Sequence, residues 1–233
     1  MDYNDLNLGN SVFQGFNDKY GLMLCGYEWG FSKDDQQAQE SGEWVEPNEE
    51  VKYTFANKAQ HWGDVANTWR YDRNIKKWFE LWGFPLDSQN LDDDFEKSIV
   101  QTNWADTQNH SIAQGTNKFL SEEQIDNFIN HITALQPKVI IFMGRELIDY
   151  LQNPAVFNRF VEVMGEMTER KRMVQKESSG TRFKIFFQNF ENCQVVCFPH
   201  PSGSRGLRDD YIASFRPEMN EILSTYKSER NFI

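Results

Sequence analysis

The chain has 233 residues, 39% of them hydrophobic, which is enough for one α/β domain with a buried sheet. Its formal net charge of −11 argues against a protein that coats long stretches of nucleic acid, because such proteins present a broad basic face. No run nears the roughly 20 apolar residues of a membrane span, and Met1-Asp2-Tyr3-Asn4-Asp5 lacks the apolar core of a secretion signal, so a cytoplasmic protein without membrane contact is expected.

In chain order, Leu22-Met23-Leu24-Cys25 predicts a buried strand over 21–25 that ends at Gly26 and feeds a loop. Residues 32–56 are polar and acidic, with Gly42 and Pro47, and predict a long surface excursion or flap. Val65, Trp69, Trp78, Phe79 and Trp82 recur near helical spacing, so a helix is expected over 64–82, stopped by Gly83 and Pro85. Ile99 to Asn103 predicts a short strand over 98–103. Ser121-Glu122-Glu123-Gln124 has the form of a capping box and opens a helix with Ile125, Phe128, Ile129, Ile132 and Leu135 on its buried stripe. Val139-Ile140-Ile141-Phe142-Met143 is the clearest buried strand, within 138–143; Gly144 ends it, and a helix follows through Leu147, Ile148 and Leu151. Residues 171–190 predict a hairpin turning at Ser178-Ser179-Gly180, with β-rich Phe183 to Phe187 after the turn. The last strand, over 194–198, carries Val195-Val196-Cys197-Phe198 and delivers Pro199-His200-Pro201. A final helix over 208–226 shows Ile212, Phe215, Met219, Ile222, Leu223 and Tyr226 on one face. Strands alternating with helices predict one domain over 1–233, an α/β fold. Its expected form is a three-layer α/β/α sandwich around a four-stranded, mainly parallel sheet, with the hairpin as a small excursion.

Cys25, Cys193 and Cys197 lack the clustered partners of a metal site, so no metal, iron–sulfur cluster or other cofactor is expected. Basic residues gather at Arg170, Lys171, Arg172, Lys176, Arg182 and Lys184, and again at Arg205 and Arg208. The first group reads equally well as a solvated hairpin or as a small footprint for phosphates. His61, His110 and His131 have no partners that the sequence names, and His131 is expected on a helix surface.

Open α/β sheets hold their ligands beyond the carboxyl ends of the strands. The sequences there are Gly26-Tyr27-Glu28-Trp29-Gly30, Asn103-Trp104, Gly144-Arg145 and His200-Pro201-Ser202-Gly203-Ser204-Arg205-Gly206. In that order they resemble the uracil-DNA glycosylase superfamily. That family has a first strand followed by Gly-x-Asp-Pro-Tyr, Gly-x-Asn-Pro-Gly or Gly-Glu-Ala-Pro-Gly. It has a strand ending in Asn, an apolar strand ending in Gly before a helix, and a closing His-Pro-Ser or Asn-Pro-Ser loop. The likeness runs from about residue 20 to 226. Three departures stand out. Trp29 replaces the first motif's Pro, and Glu28 is one methylene longer than Asp. The closing loop is short, as in the mismatch-specific branch, but keeps its His.

The chemistry suits these residue types. Breaking an N-glycosidic bond leaves positive charge on the sugar and negative charge on the departing base. Glu28 is expected to stabilise the cation and orient water. His200 is expected to bond the leaving base, and the amide of Asn103 to read a base edge. Gly26, Tyr27, Trp29, Gly30 and Phe31 form the expected base pocket, with Tyr27, Trp29 or Phe31 as the stacking ring. By the resemblance, Ser202, Gly203, Ser204 and Arg205 would meet the DNA backbone, and Leu207 or Arg205 would wedge the base stack. Arg145 is equally a phosphate ligand or a helix-end residue. A Ser-His-acid triad through Ser202 is disfavoured, because Ser202 adjoins His200 and no Gly-x-Ser-x-Gly elbow exists.

The expectation is a DNA glycosylase-like hydrolase that flips a damaged or modified base, uracil or a relative, from single-stranded or duplex DNA. A monomer is taken by default. Two alternatives remain open: a family member that binds nucleotide, DNA or a protein without catalysis, and an N-glycosidase of nucleosides or unusual phage bases.

Overall fold

The four apolar runs expected as strands all form strands, and they lie side by side. The computed structural model describes residues 3–30, 40–41, 48–87, 89, 91–109, 116–177 and 183–232. In chain order the elements are β1 (Leu22–Gly26), β2 (Trp29–Gly30), α1 (Ala59–Trp62), α2 (Arg70–Trp82), α3 (Asp94–Lys97), β3 (Ile99–Asn103) and β4 (Gln108–Asn109). They continue with α4 (Glu122–Leu135), β5 (Val139–Met143), α5 (Arg145–Leu151), α6 (Pro154–Met164), β6 (Met167–Val174), β7 (Ile185–Phe190), β8 (Gln194–Phe198), α7 (Asp209–Ala213) and α8 (Arg216–Glu229).

The main sheet runs β3-β1-β5-β8-β7-β6, so it has six strands rather than four. β3, β1, β5 and β8 pair in parallel, while β7 pairs antiparallel with both β8 and β6. The hairpin is therefore part of the sheet and not an excursion. The reason is the connection after β7. Residues 191–193 close it tightly, with the Phe190 N–H bonded to the Cys193 carbonyl at 2.8 Å. So short a link allows only an antiparallel neighbour, because a parallel crossover needs a dozen residues or more. The expected hairpin turn at Ser178-Ser179-Gly180, with Arg182, lies outside the described residues.

Alternation along each central strand sends side chains into two cores. Met23, Cys25, Ile140, Phe142, Val195 and Cys197 face α4, α5 and α6. Leu22, Leu24, Val139, Ile141, Val196 and Phe198 face α2, α7 and α8. Helices on both faces explain why these strands read as unbroken apolar runs. All three cysteines are free and buried. The outer edge of β3 is covered by the N-terminal segment, through a Leu8–Thr102 bridge and a Gly9 N–H bond to Gln101 at 2.8 Å.

Several sequence expectations need correction. The helix over 64–82 starts only at Arg70. Residues Asp64–Thr68 form a 3-10 turn, extended Trp69 interrupts, and Val65 is exposed instead of buried. Ser121 caps α4 without a side-chain bond. Gln124, its supposed box partner, instead exchanges two hydrogen bonds with Asp106, at 3.0 and 2.8 Å. The final helix divides at Ser214-Phe215 and restarts with Pro217 in its first turn, where a missing N–H costs nothing. Helix α6 was not foreseen. His131 is buried, with its two nitrogens bonded to the Asn127 and Asn7 carbonyls, and His61 is buried against Tyr53. Within the expected flap, Tyr53, Thr54 and Phe55 are buried. Residues 31–39 and 42–47, Phe31 included, and His110 lie outside the described residues.

Candidate functional site

The chain leaves β1 toward β3 on one side and later adds β5 on the other, so the strand order reverses at β1/β5. A crevice at the carboxyl ends of these strands is where an open α/β sheet takes its ligand. Tyr27 stands at this point of the sheet. A Cβ on Gly144 would lie 2.1 Å from the Tyr27 ring, so only glycine there lets the ring pack on the β5 backbone. The Tyr27 hydroxyl accepts the Glu146 backbone N–H at 3.1 Å and donates to the Glu146 carboxylate in a very short contact. Burial, reinforced by Glu146, raises the phenol far above its ordinary range.

Next to this crevice the structure brings Gly26, Asn103 and His200 together around a residue that the sequence did not single out, Tyr71 of α2. A Cβ built on Gly26 would sit 2.3 Å from Asn103 Oδ1 and 3.0 Å from the Tyr71 hydroxyl. Glycine is required because two polar groups close over its backbone. The His200 ring lies 5.3 Å from the Tyr71 ring and 6.1 Å from the Tyr27 ring, nearly parallel to the latter. Asn103 is buried, yet its side-chain amide bonds to none of the described residues. The hydroxyl of Tyr71 is buried as well and has no hydrogen-bond partner among the described residues.

The loop after β8 sets the state of His200. Its Nδ1 accepts the Gly203 backbone N–H at 3.0 Å, and the Ser202 hydroxyl lies 3.3 Å from the same atom. A nitrogen that accepts an N–H carries no proton, so in the neutral ring Nε2 is the donor. Burial pushes the imidazole down to about 4, with the charge of Glu146 pulling the other way. The ring is therefore neutral at pH 7. Asn74 of α2 anchors the loop by donating to the Pro201 carbonyl at 2.7 Å.

Glu28 is placed differently. Its side chain is 3% exposed and ion-paired with Lys118 at 2.5 Å. The Thr107 hydroxyl donates to the same carboxylate oxygen at 2.8 Å. Trp29 turns toward the N-terminal segment, with its indole N–H on Asn7 and its ring against Gly9. It and exposed Gly30 form a two-strand ladder with Gln108 and Asn109, so Trp29 packs against that segment and away from the crevice.

The expected phosphate residues sit at the rim. Gly203 and Arg205 are exposed, and Ser202 and Ser204 are half-buried. Leu207 packs against the core beneath, which leaves Arg205 as the more projecting of the two wedge residues. Arg145 pairs with Asp149 at 2.6 Å and lies over Phe186, with its side chain still half exposed. Asp149 also binds Lys171 at 2.7 Å, which joins Arg145 to the basic strand β6. Among the described residues, no three His, Cys, Asp or Glu side chains gather as metal ligands would. A cleft of about 230 Å³ exists at the opposite end of the sheet, beside Lys138 and Cys193, where open α/β sheets seldom hold ligands.

Sequence reasoning missed Tyr71, Asn74, Thr107, Lys118 and Glu146. Glu146 directly follows the Gly144-Arg145 strand end, which is the local signal for it. The other four come from segments that only the tertiary fold brings to the site. No protein-family model and no curated protein matches the chain. Among the described residues no helix is long and apolar enough to cross a membrane.

Proposed function

We propose that this cleft binds a flipped nucleobase in DNA and hydrolyses its N-glycosidic bond, in the manner expected of a divergent uracil-DNA glycosylase-like enzyme. One observation carries the reading. The Gly203 N–H on Nδ1 keeps His200 neutral with an Nε2–H donor, beside an Asn103 amide that has no partner among the described residues.

A donor held in a dry site stabilises negative charge that appears only as the reaction proceeds. As the C1′–N bond breaks, its electron pair moves onto the base. His200 Nε2–H donates to the base carbonyl oxygen where the charge collects. Asn103 offers one donor and one acceptor to the base edge. Water adds to the electron-poor C1′, and its proton passes to the Glu28 carboxylate and then to the departing base. Arg205 and the Ser202–Ser204 loop supply rim contacts to phosphates, a small footprint that fits an acidic body.

The test is an abasic-site assay on wild type and Glu28→Gln. Single-stranded and duplex oligonucleotides would carry uracil, mismatched uracil or thymine, hypoxanthine, or hydroxymethyluracil. Alkali-dependent strand breaks with wild type and none with Glu28→Gln are expected. Absence of breaks on every substrate would overturn the reading.

A second reading, ligand binding without catalysis, is favoured by the Lys118 ion pair on Glu28, which spends the carboxylate on structure. Under it, Glu28→Gln keeps full affinity for a base-containing oligonucleotide.

A further inference from the structure

Tyr71 stands at the second position of α2, with its ring against His200 and its hydroxyl over Gly26. The hydroxyl oxygen is buried and unpartnered. That is costly, because a buried polar group without a partner loses its water bonds and gains nothing. A phenylalanine would pack in the same place without the penalty. The neighbours do not remove it. Gly26 offers no side chain, and Asn103 Oδ1 approaches the same point above Gly26 without meeting hydrogen-bond geometry. Asp72, the next residue in the chain, is committed to Lys58 at 2.9 Å, and Lys58 also donates to Gln101. The Tyr71 hydroxyl and Asn103 Oδ1 thus meet over Gly26, and the His200 ring packs against the Tyr71 ring.

We propose that the Tyr71 hydroxyl is a third ligand contact of this cleft, bonding the polar edge of a planar heterocycle held between Asn103 and His200. The proposal rests on the reading of the cleft as a nucleobase site and adds a residue to it. Two groups alone can mark two positions on a pyrimidine or purine rim. A third group, able both to donate and to accept, makes recognition depend on the pattern of carbonyl, ring N–H and amino groups. Asn103 Oδ1 and the Tyr71 hydroxyl both stand over Gly26, so a ligand that engages the amide comes close to the hydroxyl. Hydrogen bonds at such sites commonly tighten only when ligand is present.

The experiment compares wild type with Tyr71→Phe on the full-length protein. Melting temperature is measured without ligand, and affinity for free uracil, cytosine and hypoxanthine by calorimetry. Loss of the unpartnered hydroxyl should raise the melting temperature by about 2–4 °C. Affinity for the preferred base should fall about tenfold, as for one lost hydrogen bond in a dry site. A lower melting temperature means that the hydroxyl has a structural partner and overturns the proposal. Unchanged affinity, or no binding of any of the three bases by wild type at millimolar concentration, overturns it too. The abasic-site assay on the same preparations separates the two ideas. Weaker base binding by Tyr71→Phe, with no strand breaks by wild type on any substrate, upholds Tyr71 and sinks the glycosylase reading. Strand breaks by wild type with unaltered base affinity in Tyr71→Phe do the reverse.

Discussion

The two sides of the cleft handle their polar groups in opposite ways. On the His200 side, a backbone N–H fixes the tautomer, and the Asn103 amide and Tyr71 hydroxyl bond to none of the described residues. On the Glu28 side, one carboxylate oxygen, Oε2, takes both the Lys118 ion pair and the Thr107 hydrogen bond. The first arrangement stores binding capacity at the expense of stability. The second uses its charge to hold the loop after β1 against the segment carrying Lys118. Oriented groups with spare hydrogen-bonding capacity suit ligand recognition, whereas an ion pair ties two segments together. Substitution of His200 should therefore act mainly on activity, and substitution of Lys118 mainly on stability.

After the loss of activity expected of Glu28→Gln, the largest effect is expected from His200→Gln. Removing one preorganised donor to a developing anion costs about 10²–10³ in rate. Single-turnover base release on the best oligonucleotide should fall by that factor, while the melting temperature moves by only about 2–4 °C, roughly 1 kcal/mol. A variant that keeps its rate would remove His200 from the chemistry and erase the contrast between the two sides.

Legibility in the sequence followed the same division. Strand ends announce themselves because buried parallel strands are unbroken apolar runs, as Val139 to Met143 are. Gly26, Asn103, Gly144 and His200 were readable for that reason. Tyr71 was not, because its neighbourhood is set by how α2 crosses the sheet and not by anything local. The Thr107 and Lys118 partners of Glu28 were not legible, since they lie 79 and 90 residues away in the chain. Trp29 looked like a stacking ring until Gly9 and Asn7 claimed it. The hairpin failed differently: its residues were read correctly as strands, but the pairing partner depends on the three-residue turn before β8.

On the Glu28 side, Lys118→Met should cost stability. A carboxylate that is 3% exposed loses its cation, and such losses run to about 1–3 kcal/mol when the pair is partly solvated. Urea denaturation would read this as a lower midpoint with an unchanged slope. Combining Lys118→Met with Glu28→Gln should recover most of the loss, since the uncompensated charge is then gone. If the single substitution is neutral, the ion pair contributes nothing to stability and the contrast between the two sides fails.

The smallest effect, and the sharpest on tautomer, is the titration of His200. Burial lowers its proton affinity from an ordinary 6.5 to about 4, and Glu146 opposes that shift. Between these values the unfolded chain binds a proton that the folded one refuses. Its contribution to stability is thus full above about pH 6.5 and fades as pH falls toward 4. His131 is also lowered by burial, so acid weakens the wild type through two imidazoles. The difference between wild type and His200→Gln isolates the one in the cleft. Nitrogen NMR should show His200 neutral, protonated on Nε2, and titrating near 4. In Glu146→Gln the midpoint should fall further, because the charge that raises it is removed. Titration near 6.5 would mean that the ring is solvated. The Gly203 N–H would then compete with a proton on Nδ1 at physiological pH, and the His200 side would lose the fixed donor that distinguishes it from the Glu28 side.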